Sequence, residues 1–132
     1  MIGLVNAHTH LYSGLAPLGM PVEQGFSPAP FLKILQRVWW RLDRALDDEA
    51  VFLSAWSGGA DALLAGTTTI VDHHASPNAL EGSLEQVASA LEGLGVRSVL
   101  CYEVSDRDGP DRAAEALGPR LAAAPAHGGG AA

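Results

Sequence analysis

Two histidines spaced i, i+2, His8 and His10, end the first apolar run of the chain, Ile2 to Ala7. In an extended strand, side chains two apart lie on the same side. The pair would therefore leave the strand end together, as two imidazole donors for one metal ion. Imidazole suits Zn, Fe, Ni and Cu and not Ca or Mg. A His-x-His is also compatible with surface or packed histidines, so its meaning depends on the other strand ends. There the chain presents Asp72-His73-His74 after one apolar run, and Tyr102-Glu103, with Asp106 close behind, after another. In parallel α/β folds, ligands bind beyond the carboxyl ends of the strands. Three strand ends bearing ionisable groups form a candidate site.

Each group has a plainer alternative. Asp72 can cap or brace the loop that follows it. His73 and His74 are adjacent, so an extended backbone points them in opposite directions and at most one faces a site. Glu103 reads more simply as a solvated loop carboxylate. Trp39 and Trp40 fit core and helix surface better than a stacking platform. Cys101, the one cysteine, excludes an intrachain disulfide, suits a reducing cytoplasm and reads as a small buried hydrophobe.

The elements that must position these groups alternate. Three β-favouring runs, Ile2–Ala7, Thr67–Val71 and Val96–Tyr102, are separated by helical patterns. Thr67 to Val71 are all β-branched, which favours a strand over a helix. Unbroken apolar stretches such as Val99-Leu100-Cys101 suggest strands covered on both faces. The segment 11–30 carries four prolines and three glycines and reads as a loop, placed where a lid would lie. Phe31, Ile34, Leu35, Val38, Trp39, Leu42 and Leu46 recur at helical spacing. Asp47 is a candidate N-cap for the next helix, with Asp48 and Glu49 in its first turn. That helix is expected to bury Phe52, Leu53, Trp56, Ala60, Leu63 and Leu64 and to stop at Gly66. Its Gly58-Gly59 pair costs ~1–2 kcal/mol of propensity, which close backbone packing would justify. Ser83-x-x-Gln86 reads as a capping box before the Leu84, Val87, Ala88, Leu91, Leu94 stripe, with Gly95 as the stop. Strands alternating with helices imply right-handed crossovers and a parallel sheet.

Composition narrows the class further. The 132 residues are 48% hydrophobic and 17% charged, with a net charge of −7. That suffices for a modest core and leaves no basic stripe for nucleic acid. No run approaches a membrane span, and no signal-peptide pattern follows Met1. Residues 1–109 read as one α/β unit with an insertion at 11–46. Residues 110–132 read as an Ala/Gly/Pro-rich tail, a frayed helix and then disorder, with His127 inside it.

Gly-Leu-Val-Asn-Ala-His-Thr-His (3–10) followed by Gly-Thr-Thr-Thr-Ile-Val-Asp (66–72) resembles the amidohydrolase superfamily, in its chlorohydrolase and aminohydrolase branch. Segments 39–47, 72–77, 81–84 and 101–107 are most similar to the SsnA-type aminohydrolases associated with selenium metabolism. The resemblance covers residues 2 to about 109. It implies a (β/α)8 TIM barrel, of which this chain would hold about the first three βα units and so be truncated at both ends. It makes His8 and His10 ligands of one divalent transition metal, Zn or Fe, and sets His73, His74, Asp72, Tyr102 and Glu103 along the substrate pocket. The implied chemistry is hydrolysis of a non-peptide C–N bond in a small molecule by metal-activated water, in the cytoplasm. The family's remaining ligands and its acid/base glutamate have no counterpart here. The chain is accordingly expected to be an inactive fragment, incompletely ligated and prone to self-association through open sheet edges. The competing reading is a non-catalytic α/β module whose His pair is structural or bridges subunits through a metal.

Overall fold

The computed structural model describes residues 2–21 and 30–117. The chain divides into two compact units, Met1–Tyr102 and Glu103–Ala132. In the first, β1 (Leu4–Thr9), β2 (Thr67–His74) and β3 (Arg97–Tyr102) form a parallel sheet in the order β1-β2-β3. Helices fill both connections: α1 (Phe31–Ile34), α2 (Trp40–Ala45) and α3 (Asp48–Leu64) between β1 and β2, and α4 (Ser83–Gly93) between β2 and β3. This is the α/β arrangement expected, consistent with part of a parallel barrel. The Glu103–Ala132 unit contains α5 (Pro110–Ala116). The rest of the expected tail helix and its disordered end lie outside the described residues.

Register decides which side chains share a face. Ile70, Asp72 and His74 of β2 pair with Ser98, Leu100 and Tyr102 of β3. Ile70, Asp72 and His74 have no exposed surface, and Ile70 joins Val51, Ala55, Val87 and Leu91 in the core beneath α3 and α4. Val71 and His73 pair with Val99 and Cys101 on the other face. That face is open: Val5 and Val99 remain 64% and 60% exposed. Cys101 is therefore exposed as well, not buried as its apolar run suggested. The run predicts burial only where both faces of a strand are covered, and one face of β3 is not.

The helices correct several sequence readings. The helix expected over 31–46 is interrupted by a π-helical stretch, Leu35–Trp39, between α1 and α2. Within α3 the buried positions are Val51, Ser54, Ala55 and Gly59. Leu53, Trp56 and Leu64 stay 44%, 40% and 88% exposed. Small residues win the inward face because they let neighbouring backbone approach. A Cβ on Gly59 would meet Leu91 and Leu94 at 2.8 and 2.9 Å, and one on Gly58 would meet Leu11 at 2.9 Å. The glycine pair thus admits α4 on one side and the turn after β1 on the other.

Asp47 caps α3 as expected, its Oδ1 accepting the Ala50 N–H at 2.8 Å. Asp47→Ala should lower stability by about 1 kcal/mol in urea unfolding, because that amide then loses its acceptor. The capping box at Ser83 does not form. Gly82, at φ 74°, takes the N-cap position, and the Ser83 hydroxyl donates to the Leu80 carbonyl at 3.0 Å. Glycine at the cap has no side chain to accept a first-turn N–H, and Ser83, one position further on, turns back to the loop.

A candidate metal-ligating pair at the end of β1

β1 delivers the histidines through an irregular register. Asn6 pairs with Ile70 but Thr9 with Asp72, so three steps along β1 match two along β2. Such bulges re-aim side chains and collect near functional sites. Asn6 Oδ1 accepts the His8 N–H at 3.3 Å within this slip. The outcome is convergence: His8 Nε2 and His10 Nε2 lie 3.1 Å apart, their rings nearly perpendicular at 84°. Both residues are exposed.

The tautomer of His10 follows from its second nitrogen. Nδ1 lies 2.9 Å from the His73 carbonyl oxygen. A carbonyl only accepts, so Nδ1 carries the proton and a neutral His10 offers a bare Nε2. Metal-ligating histidines are commonly held in this way, with the far ring N–H on a carbonyl or carboxylate. The 3.1 Å separation would leave both nitrogens within reach of a single ion. The two residues therefore fit one edge of a metal's coordination shell. Without an ion, His8 Nε2–H donates to His10 Nε2. To ligate through Nε2, His8 would move that proton to Nδ1. Among the described residues, no group of three or more His, Cys, Asp or Glu side chains is placed to hold a metal.

The end of β2 divides its residues between the two faces. His73 joins the pair on the open face, its ring 5.4 Å from that of His10. His74 lies on the covered face, fully buried, between Tyr12 and Tyr102 at ring distances of 6.1 and 5.7 Å. Ser76 Oγ donates to the Ala79 carbonyl at 2.9 Å and so accepts from His74 Nε2 at 2.8 Å. His74 Nδ1 is then bare, buried and without a hydrogen-bond partner. Burial, helped by repulsion from His73, pushes the His74 pKa down to about 4. His74 is a neutral structural imidazole at neutral pH.

Asp72 is fully buried too. Its Oδ1 accepts the Leu11 N–H at 2.7 Å, while Oδ2 has no partner. Burial raises its pKa to about 6, against the opposing pull of the Leu11 N–H and of His10. Tyr102 accepts the Ser76 N–H at 3.0 Å through its hydroxyl. Of the pocket candidates at the end of β2, the structure thus brings only His73 to the His8–His10 pair. It turns Asp72 and His74 inward. Glu103 opens the second unit and pairs there with Arg107 at 3.5 Å.

The amidohydrolase family model matches residues 1–129. The chain belongs to the amidohydrolase family. Among curated relatives of this amidohydrolase chain is an 8-oxoguanine deaminase of Pseudomonas aeruginosa, 37% identical over 112 residues. That match takes in 81% of this chain and 24% of the relative. A 5-methylthioadenosine/S-adenosylhomocysteine deaminase of Thermococcus kodakarensis is 29% identical over 115 residues, which are 87% of this chain and 24% of the relative. A 5′-deoxyadenosine deaminase of Methanocaldococcus jannaschii is 29% identical over 108 residues, 79% of this chain and 22% of the relative. The amidohydrolase chain therefore spans about a quarter of the length of these relatives. It groups with the aminohydrolase branch, since all three are named as deaminases. No helix among the described residues is long and apolar enough to cross a membrane.

Sequence reasoning missed one contributor to the site, the His73 main-chain carbonyl. No residue type signals a backbone acceptor; only the His10–His73 juxtaposition reveals it.

Proposed function

We propose that this chain is part of a hydrolase that removes an amino group from a purine-type ring, with His8 and His10 as two ligands of a single divalent transition metal. The observation that carries this reading is the 3.1 Å convergence of the two Nε2 atoms, with the far nitrogen of His10 committed to a backbone carbonyl. The names of the relatives support C–N hydrolysis and a purine-type substrate. Bound at this pair, a zinc or iron ion would supply a water acidic enough to ionise near neutral pH.

The described residues at this pair act in this reading by orienting it. The His73 carbonyl holds the His10 lone pair toward His8. The His73 ring, beside His10 on the open face, is placed to touch a substrate. Tyr102 contributes in this reading by fixing the loop after β2 through Ser76. A catalytic site of this type needs at least three protein ligands and an open position. The isolated 132-residue chain is therefore expected to bind metal weakly and to turn over nothing.

Zinc titration of the chain, followed by calorimetry and by histidine NMR signals, tests this. One zinc per chain is expected, with His8→Ala and His10→Ala each weakening affinity at least about tenfold. Zinc uptake indifferent to both substitutions overturns the reading. Uptake of half an equivalent with dimerisation would instead mark an inter-chain site and a non-catalytic module.

A further inference from the structure

β2 grips the His10 region at two consecutive residues. The His73 carbonyl takes the His10 Nδ1–H at 2.9 Å, and the Asp72 carboxylate takes the next backbone amide, Leu11 N–H, at 2.7 Å. His10 is where β1 leaves the sheet, at φ −132° and ψ 75°, before the 3-10 turn Leu11–Ser13. The Leu11 amide begins that turn and has no helical acceptor of its own. Leu11 and Tyr12 are buried and hold the turn to the core; the Asp72 bond fixes the one backbone amide between that anchor and His10. Asp72 does this from full burial, with Oδ2 left without a partner. A buried carboxylate with one oxygen unmet is costly. That cost is easier to understand if the bond it makes serves the histidine pair.

We propose that Asp72 is a positioning residue for His10. By holding the Leu11 N–H it keeps the His10 ring on the His73 carbonyl, so that the bare Nε2 of His10 faces His8. The use made of that lone pair rests on the metal reading above; the positioning itself does not.

The test is long-range 15N–1H NMR of the imidazoles in the metal-free 132-residue chain at pH 8. This measurement reports which ring nitrogen carries the proton, and an unconstrained imidazole favours Nε2–H. Wild type and Asp72→Asn, which keeps an oxygen for Leu11, are expected to hold His10 as Nδ1–H. Asp72→Ala is expected to revert to a mixture in which Nε2–H dominates, and to weaken zinc binding at least about tenfold. Asp72→Ser retains a polar group in the same place but is too short to reach Leu11. It should behave like Asp72→Ala, and it carries the test if the alanine variant does not fold. Ile70 and Val87 signals report whether the core is intact. A folded serine or alanine variant with His10 still Nδ1–H overturns the proposal, as does a wild type with His10 as Nε2–H. Loss of the tautomer in Asp72→Asn overturns it too, because the charge and not the acceptor would then matter. A wild type that holds the tautomer and ignores zinc counts against the metal reading alone.

Discussion

Gly14→Ala is expected to destabilise the Met1–Tyr102 unit by about 3 kcal/mol, the upper end of what overpacking usually costs. At φ −58° and ψ −28°, Gly14 sits in ordinary helical backbone that alanine adopts freely. In such a conformation Gly→Ala normally stabilises, by about 0.4–1 kcal/mol, through the unfolded chain. The predicted sign is reversed by one contact. A Cβ on Gly14 would fall inside van der Waals distance of the Ser54 carbonyl oxygen, with the Ser54 carbonyl carbon at 3.0 Å and the Gly58 nitrogen at 3.1 Å. These are backbone atoms of α3 and cannot rotate aside as a side chain can. Two neighbours calibrate the result. A Cβ at Gly58 meets the end of the Leu11 side chain, Cδ2 at 2.9 Å, and backbone no nearer than the Gly14 Cα at 3.9 Å, so Gly58→Ala should cost less. Gly66 has open space but φ +86°, so Gly66→Ala should cost roughly 1–2 kcal/mol from backbone alone. Urea unfolding of the three variants would show Gly14→Ala as the most damaging. An effect no larger than that of Gly66→Ala would mean that the turn after His10 does not lie against α3. Because that turn carries the chain away from His10, Gly14→Ala should also disturb the histidine pair.

The Gly58-Gly59 pair marks how far the sequence could be read. Its propensity cost signalled a close approach, but not that Gly58 admits the turn after His10 while Gly59 admits α4. The three strands were legible because β-branched and apolar residues accumulate where the chain is extended. Their ends were less so. β2 continues through Asp72, His73 and His74, since pairing with β3 persists to His74–Tyr102 and cross-strand hydrogen bonds do not depend on side-chain polarity. The i, i+2 spacing of His8 and His10 did predict a converging pair, although the register slip at Asn6–Thr9 means that simple alternation was not the whole reason. Which of His73 and His74 is buried depends on partners remote in sequence. Tyr12, Ser76 and Tyr102 enclose His74, and no local pattern could supply them. The inward α3 face was misread for a related reason. Large apolar residues mark a buried stripe only when the neighbouring element stands off far enough to receive them, and here α4 comes too close.

Asp72 and His74, two residues apart on the covered face of β2, are expected to give opposite pH dependences that nearly cancel. Burial raises Asp72 from 3.8 to about 6, so the folded chain keeps a proton that the unfolded chain has released. Its stabilisation is complete below pH 3.8 and is lost as pH rises through 6. Burial lowers His74 from 6.5 to about 4, so the unfolded chain binds a proton that the folded chain refuses. That stabilisation is present above pH 6.5 and is lost as pH falls through 4. Each shift corresponds to on the order of 3 kcal/mol, with slopes of opposite sign between pH 4 and 6. For these two groups together, stability in metal-free buffer should therefore be nearly level across that window. Asp72→Asn leaves only the histidine slope, and its stability should rise by about 3 kcal/mol from pH 4 to 6.5. His74→Gln leaves only the carboxyl slope, and its stability should fall by a similar amount from pH 4 to 6. Urea midpoints measured at half-unit intervals for the three proteins separate these contributions, since other titrating groups are common to all. Profiles parallel to wild type in both variants would contradict the burial of this pair. Desolvation raises an acid and lowers a base together, whereas a mutual ion pair would do the reverse to both. The two slopes, read as a pair, therefore identify a dry layer behind β2 that disfavours either charge and that contains Asp72, the residue bonded to the Leu11 amide beside His10.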